Sequence, residues 1–231
     1  MGPTPASAAK REGALSPAGG RVNCWQCGVA HAPDLFCPHC HAIQPLPEDA
    51  DYFQILGVPR RLVLDPAALQ RRYYELHRLL HPDRYQTGPQ AARVASLRNT
   101  AAVNRAYQTL RDPIDRGLYW LVLQGESLGS NNNRVPVELA ELVFETQEKL
   151  EELRAARKGN GNAALATEID SVRQTLVERR AELLKELREN FVRWDASDAD
   201  VAILTKELKT LLSALAYLGT LMRDVEQALE S

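Results

Sequence analysis

Four cysteines lie close together near the start of the chain, in two pairs of the form Cys-x-x-Cys. The pairs are Cys24 with Cys27 and Cys37 with Cys40, and nine residues separate them. Two such pairs at this distance suit a tetrahedral site of four thiolates, in which each pair forms a knuckle that holds half of the metal's coordination shell. We therefore predict a metal site with these four cysteines as its ligands.

Four thiolates leave no open coordination position, so the predicted metal is structural, with zinc favoured and iron possible in a rubredoxin-like centre. His31, His39 and His41 lie nearby, and one of them could replace a cysteine, although we expect them on the surface or beside the ligands. So short a segment buries too little apolar surface to fold alone. Binding of structural zinc contributes roughly 10–16 kcal/mol to the folding free energy of small fingers, so we expect the metal to supply most of the stability here. Disulfides or two redox motifs are the alternative, but no secretion signal places the chain in an oxidising compartment.

A second group of residues that could make specific polar contacts is His81, Pro82 and Asp83, at the end of a predicted basic helix. Asp65 and Pro66 are typical of a helix start, and Pro82 is expected to end the helix because a proline disfavours the α conformation of the residue before it. On one face of this predicted helix, apolar residues recur at steps of four, three and four, and another face is mainly positive. The apolar residues are Leu69, Tyr73, Leu76 and Leu80, and the basic residues are Arg71, Arg72 and Arg78.

A further helical pattern from Gln90 to Arg111 offers apolar residues that can pack back on the first helix. The two helices predict a hairpin whose tip is the His-Pro-Asp tripeptide. Alone, that tripeptide would indicate only a helix end and a turn. Together with Asp51–Val58 before it and with Asn104–Tyr107 and Leu110–Pro113 after it, the pattern resembles a DnaJ domain from about Asp51 to Pro113.

The resemblance implies an interaction rather than a reaction in this chain. J-domains bind a DnaK-type ATPase through the basic second helix and the His-Pro-Asp loop, and they speed its ATP hydrolysis. The chaperone-binding residues implied here are Arg71, Arg72, Arg78, His81, Pro82 and Asp83. Because the hydrolysis takes place in the partner, we expect no catalytic residue and no enzyme activity of the chain itself.

The composition sets limits on the remaining possibilities. With 231 residues, 45% of them hydrophobic and 25% charged, the chain is typical of a soluble, mainly α protein. A net charge of −2 gives no support for nucleic-acid binding. The chain contains no run of 18 apolar residues, so we expect no membrane span. Residues 1–21 are expected to form a disordered tail. The expected location is the cytoplasm, with the mitochondrial matrix as the alternative.

We predict three folded regions after this tail. Residues 22–45 form the metal-binding domain, residues 51–124 the J-domain with one short apolar helix from Pro113 to Gln124, and residues 135–231 a bundle of three helices. Loops are predicted at 125–134, 159–162 and 195–198. The expected bundle core consists of Leu139, Leu142, Val143, Thr146, Leu150, Leu153, Leu165, Ile169, Val172, Leu176, Leu183, Leu187, Phe191, Val201, Leu204, Leu208, Leu211, Leu215, Leu218, Met222, Val225 and Leu229.

A four-cysteine segment, a J-domain and a three-helix bundle in this order resemble HscB, the J-type co-chaperone family of iron–sulfur cluster assembly, in its zinc-containing form. Arg116–Leu121 also matches a run typical of that family. The resemblance implies that the bundle binds an IscU-like scaffold protein and that the J-domain brings it to a DnaK- or HscA-type chaperone. The implied scaffold-binding residues are Phe144, Glu145, Glu148, Tyr217 and Leu218.

The chain departs from the family pattern at Ala140 and Glu141, where larger apolar residues are usual. Either the upstream half of the scaffold-binding patch is missing, or Leu139 and Leu142 take its place. Two other functions stay open at this point. The chain could be a general J-domain adaptor for another client, or a metal-dependent redox protein. Self-association is a further possibility.

Overall fold

The computed structural model describes residues 20–129, 135–156, 163–196 and 200–230. Within these ranges the chain is mainly helical, as predicted, and the strands are confined to the four-cysteine segment. The chain divides into two compact units, and the boundary between them in the sequence lies between Asp112 and Pro113. No helix in the described ranges has the length and apolar content that a membrane span requires. Most of the predicted tail lies outside the described residues.

The first unit contains the four-cysteine segment and a set of three helices. Two short strands pair antiparallel, with Val22 opposite His31 and Asn23 opposite Ala30. A 3₁₀ helix covers Pro82–Tyr85. The helices α1 (Tyr52–Leu56) and α2 (Pro66–Leu80) both pack against α3 (Gln90–Arg111). The strands are β1 (Val22–Asn23) and β2 (Ala30–His31).

Helix α2 begins and ends where local sequence signals predict. The Asp65 carboxylate accepts the Ala67 backbone N–H at 2.9 Å, and Pro66 occupies the first turn. At the other end His81 has an extended ψ of 129°, so the helix stops directly before Pro82. The apolar face is buried at Leu69, Leu76 and Leu80. Burial of each leucine contributes about 1.5–3 kcal/mol, which fixes this face of the helix toward α1 and α3.

The second unit contains the predicted three-helix bundle. Helices α5, α6 and α7 pack against one another in all three pairs, which confirms the bundle. The predicted core positions are mostly buried, but Val201 is exposed because it is the first residue of α7. Residues 130–134, 157–162 and 197–199, and the side chains of Leu153 and Leu165, lie outside what the structure describes. The elements are α4 (Pro113–Leu123), a 3₁₀ turn (Val137–Leu139), α5 (Ala140–Ala156), α6 (Ala163–Trp194) and α7 (Val201–Glu230).

The short helix α4, grouped with the J-domain in the sequence, packs on the bundle. A Cβ added to Gly117 would lie 3.2 Å from the Leu212 Cδ2 atom and 3.4 Å from the Phe191 Cζ atom, so the absence of a side chain permits this close approach. The Arg116 guanidinium lies 5.4 Å from the centre of the Phe191 ring. With Leu121 also buried, the apolar face of α4 is covered within the second unit.

Candidate functional site

The four cysteine sulfurs form one compact cluster, with all of them within 4.8 Å of one another. The Sγ atoms of Cys24 and Cys40 lie 3.5 Å apart, and those of Cys27 and Cys37 lie 3.8 Å apart. Metal–sulfur bonds of about 2.3 Å in a tetrahedron place sulfurs about 3.8 Å apart, whereas a disulfide needs about 2.05 Å. The donor set therefore fits a tetrahedral metal ion. Both of these sulfur pairs join one knuckle to the other.

The two knuckles have the same backbone construction. In the first, the Gly28 N–H donates to the Cys24 carbonyl oxygen, and in the second the His41 N–H donates to the Cys37 carbonyl oxygen, each at 2.9 Å. Both positions have positive φ, 74° at Gly28 and 59° at His41. A glycine adopts this conformation freely, but histidine is strained by its Cβ atom. His41 thus occupies the turn position of its knuckle.

The sulfurs differ in their tendency to ionise. Burial opposes ionisation of Cys24, but hydrogen bonds from the backbone N–H groups of Cys27 and Gln26 prevail and lower the pKa of Cys24 to about 6. At Cys40 the Ala42 N–H favours the thiolate, but burial and the other three sulfurs outweigh it and raise the pKa of Cys40 to about 12. Four thiolates in one cluster therefore require a cation, and metal binding here would displace protons.

Replacing His41 with glycine should stabilise the second knuckle by about 1 kcal/mol, because the left-handed strain at this position is removed. Resistance of the metal-loaded chain to a competing chelator measures the effect. The matched control is His39→Gly, two residues earlier, where φ is not positive and the added backbone freedom should be destabilising. Equal resistance of both variants would contradict the assigned role of φ at His41.

The His-Pro-Asp tip is exposed and held by short-range hydrogen bonds. The His81 Nδ1 atom accepts the Asp83 backbone N–H at 3.4 Å and lies 3.5 Å from the Asp83 Oδ2 atom. The Gln86 Nε2 atom donates to the Asp83 Oδ1 atom at 3.0 Å. The Asp83 side chain is 71% exposed, so it remains available to a partner although its orientation is fixed from both sides.

The basic residues of α2 are not equivalent. Arg71 and Arg78 are exposed, whereas Arg72 is half-buried. The Arg72 Nε atom donates to the Leu56 carbonyl oxygen at the end of α1 at 2.9 Å, and its Nη1 atom lies 3.4 Å from a Glu75 carboxylate oxygen. Arg72 therefore also links α2 to α1.

A row of neighbouring aromatic rings, of which only the first pair is stacked face to face, leads along α2 to the tip. Its member His77 is absent from the predicted site. The Tyr107 and Tyr73 rings stack with centres 4.1 Å apart, the Tyr73 and His77 centres are 5.6 Å apart, and the His77 and His81 centres are 5.5 Å apart. The spacing of residues 73, 77 and 81 by four was the available signal, because it places three rings on one helix face.

The surface of the bundle around α5 is apolar and acidic. The Phe144 side chain is 70% exposed, and Glu141 and Glu148, three residues before it and four after it, form a stripe with it on one face of α5. Val137, which is 89% exposed, lies in the 3₁₀ turn just before α5. Beside this stripe, a groove of about 300 Å³ runs between α5 and α6. Glutamates dominate its wall, namely Glu138, Glu141, Glu145, Glu178 and Glu182, and Arg179 in the same wall pairs with Glu182 at 2.8 Å.

Two residues assigned to this surface from the sequence belong to the core. Leu218 is fully buried in α7, and its side chain is not available to a partner, whereas the neighbouring Tyr217 is half-buried. Leu139 is likewise buried and cannot replace the larger apolar residues missing at 140 and 141. The exposed Val137 in the 3₁₀ turn before α5 is an apolar side chain that was not among the predicted scaffold-binding residues.

Comparisons with known proteins agree with this architecture. The DnaJ domain family matches residues 51–119. The iron–sulfur cluster co-chaperone proteins HscB of Mus musculus and Homo sapiens are 42% and 41% identical to the chain over 106 residues. These alignments cover 44% of this chain and 45% of each relative, so the matched part spans about half the length of the curated relatives.

Solved structures extend the similarity of the fold. The crystal structure of human co-chaperone protein HscB superposes with a TM-score of 0.66 and 26% identity, covering 89% of this chain and 98% of that one. Chaperone HscB from Vibrio cholerae shares the fold, with a TM-score of 0.57, 22% identity, and coverage of 78% and 98%. The chain thus contains a region that matches the DnaJ domain, and it is similar to HscB co-chaperones in sequence over about half of its length and in fold over most of it.

Proposed function

We propose that the chain is a J-type co-chaperone that binds an IscU-like cluster scaffold protein, delivers it to a DnaK- or HscA-type chaperone and stimulates that chaperone's ATPase. The observation that carries the proposal is the presence of two different exposed surfaces in one chain. One is the His81–Asp83 tip at the end of the basic helix α2, and the other is the Phe144 stripe on α5. The two surfaces differ in chemistry, so each offers a site for a different partner.

The tip has the chemistry of a docking surface. Arg71 and Arg78 on α2 favour association with an acidic surface, an effect that salt should weaken. The oriented and exposed Asp83 carboxylate can then make a charge-assisted hydrogen bond with a partner's arginine. These contacts shift the partner's own catalytic cycle. They require no nucleophile in this chain, which agrees with the co-chaperone role named for its relatives.

The bundle surface favours a partner of complementary chemistry. Phe144 and Val137 offer apolar side chains to an uncharged pocket, and the glutamates of the α5–α6 groove favour basic residues around that pocket. A large exposed aromatic surrounded by charges is typical of an interface in which one side chain contributes most of the affinity. We assign this surface to the scaffold protein.

The function is tested directly by steady-state ATP hydrolysis. The full chain is added to a purified DnaK-type chaperone, alone and together with a purified IscU-like scaffold protein. We expect the chain to accelerate hydrolysis and the scaffold to increase the acceleration further. Acceleration without any effect of the scaffold would favour a general J-domain adaptor for another client, and no acceleration by any such chaperone would refute the proposal.

We further propose that the four-cysteine site holds structural zinc. Cys24 and Cys37 are buried, and the Gln44 Nε2 atom donates a hydrogen bond to the Cys24 Sγ atom at 3.3 Å. A metal ion there would join the two knuckles, and a hydrogen bond to a ligand sulfur orients that ligand. One zinc ion per purified chain, measured by elemental analysis, is the expected result, and iron in its place would indicate a rubredoxin-like centre.

Replacing Phe144 with alanine should weaken scaffold binding by roughly 10- to 30-fold, because this side chain is expected to supply most of the apolar contact. The fold should be retained, since a 70% exposed side chain contributes little to the bundle core. Isothermal titration with the purified scaffold measures the effect.

The matched control for this prediction is Val192→Ala, which shortens another exposed apolar side chain of the same bundle, on α6. It should bind the scaffold as the wild type does. Equal weakening by both substitutions would show that the effect is not specific to the α5 surface.

A further inference from the structure

A buried asparagine of the J-domain holds the chain just beyond the four-cysteine cluster. Asn99 lies on α3 and is fully buried. Its Nδ2 atom donates to the Gln44 carbonyl oxygen at 2.8 Å, and its Oδ1 atom accepts the Leu46 N–H at 3.2 Å. Both ends of one amide group thus pair with the backbone of residues 44–46. Loss of that segment would leave a buried polar group without partners, which is unfavourable.

The segment held by Asn99 is joined to both knuckles of the cysteine cluster. The Gln44 side chain is buried, and its Nε2 atom donates to the Cys24 Sγ atom of the first knuckle at 3.3 Å. The Gln44 backbone N–H donates to the Leu35 carbonyl oxygen, two residues before Cys37, at 2.9 Å. Gln44 is thus hydrogen-bonded to a ligand of the first knuckle and to the segment that leads into the second.

The same part of α3 also holds the start of the His-Pro-Asp tip. Ser96 and Thr100, on either side of Asn99 in the sequence, both donate hydroxyl hydrogen bonds to the Leu80 carbonyl oxygen, at 2.6 and 3.0 Å. Leu80 is the last residue of α2 and directly precedes His81. The direction in which the chain leaves α2 is therefore fixed from α3.

We infer that Asn99 and Gln44 are positioning residues that couple the metal site to the tip. Metal binding orders the knuckles, the ordered knuckles place Gln44 and Leu46, and these satisfy the Asn99 amide within the part of α3 that holds Leu80. Because the metal binds preferentially to the ordered arrangement, metal occupancy and the order of the tip are linked equilibria. The inference rests on the proposed metal binding and assigns to the metal a role in chaperone stimulation.

Amide hydrogen exchange of the full chain, read by mass spectrometry, tests the coupling without any partner protein. Zinc-loaded and chelator-treated samples are compared in peptides covering residues 76–88, with peptides from α5 in the second unit as an internal control. We expect metal removal to speed exchange in 76–88 by roughly fivefold or more and to leave α5 unchanged. In Asn99→Ala the exchange of 76–88 should already be fast with zinc bound, and zinc removal should add little.

The matched control is Asn104→Ala, also on α3, where the side-chain oxygen accepts the Tyr73 hydroxyl at 3.1 Å and has no described contact with the cysteine segment. This variant should keep the full metal effect. A second variant, Gln44→Met, keeps the backbone partners of Asn99 but removes the bond to Cys24, so the metal effect should shrink while zinc stoichiometry stays at one.

The outcomes separate this inference from the proposed function. Zinc bound at one ion per chain with no change of exchange in 76–88 on its removal would overturn the coupling and leave the co-chaperone proposal intact. An undiminished metal effect in both Asn99→Ala and Gln44→Met would also overturn it. A chain that binds no metal would overturn the metal assignment and the coupling with it, whereas ATPase stimulation is measured independently.

Discussion

Replacing His81 with glutamine should reduce stimulation of the partner ATPase to near the basal rate while the protein stays folded. The His81 Nδ1 atom accepts a hydrogen bond from the Asp83 backbone N–H and lies 3.5 Å from the Asp83 carboxylate. Loss of the imidazole would therefore leave the Asp83 carboxylate, which is expected to contact the partner, less well oriented. Coupling between two binding events is typically 5- to 150-fold, and we expect a loss on about this scale. Hydrolysis by a purified DnaK-type chaperone at saturating co-chaperone measures it.

The fold should survive because the His81 side chain is 44% exposed and its described contacts lie within the tip and with the neighbouring His77 ring. Its removal is expected to change the free energy of unfolding by about 0.5 kcal/mol or less. Thr87→Ala is the control, since it truncates an exposed side chain just after the tip and should keep full stimulation. Full stimulation by His81→Gln would show that the tip does not act as proposed.

Replacing Cys37 with serine should remove the metal and unfold the segment around it. Cys37 is fully buried, and a hydroxyl is a poor ligand in a site otherwise made of thiolates. Structural zinc contributes roughly 10–16 kcal/mol to the folding free energy of comparable small segments. The two short strands β1 and β2 cannot supply this stabilisation without the metal. Zinc per chain and amide protection of residues 22–44 are the measurements, and both should fall to near zero.

The control for this second prediction is His39→Ala, an exposed residue between the two ligands of the same knuckle, which should retain one zinc per chain. A Cys37→Ser protein that still holds zinc would indicate that a nearby histidine replaces the missing thiolate. The double variant Cys37→Ser with His39→Ala then decides between His39 and another ligand. Circular dichroism should show that α2 and α3 remain helical, because the buried residues of their shared apolar face lie outside the cysteine segment.

The features that sequence alone predicts correctly are those set by neighbouring residues. Asp65, Pro66 and Pro82 fix the ends of α2 through capping and backbone restriction, and these effects act within one helical turn. The arrangement of the four cysteines was predictable for the same reason, since each knuckle is a short turn with its own backbone hydrogen bonds.

The features that the sequence did not reveal depend on contacts between distant residues. The bonds of Asn99 to residues 44 and 46 cross more than 50 positions, and no local pattern marks them. The packing of α4 on the bundle depends on the space at Gly117, which only the approach of α6 and α7 defines. For Leu218, the helical spacing predicted a core position and the family match implied a partner contact, and its complete burial agrees with the spacing.

The bond between Arg72 and the Leu56 carbonyl has a consequence for recognition. A long basic side chain normally loses conformational entropy when it binds a partner. The Arg72 guanidinium is already ordered in the folded domain, because it is hydrogen-bonded to the end of α1. Its charge is therefore preorganised. Lysine at position 72 would keep the charge but lose the planar guanidinium, which contacts the Leu56 carbonyl oxygen and the Glu75 carboxylate at the same time. Arginine and lysine are therefore not interchangeable at this position.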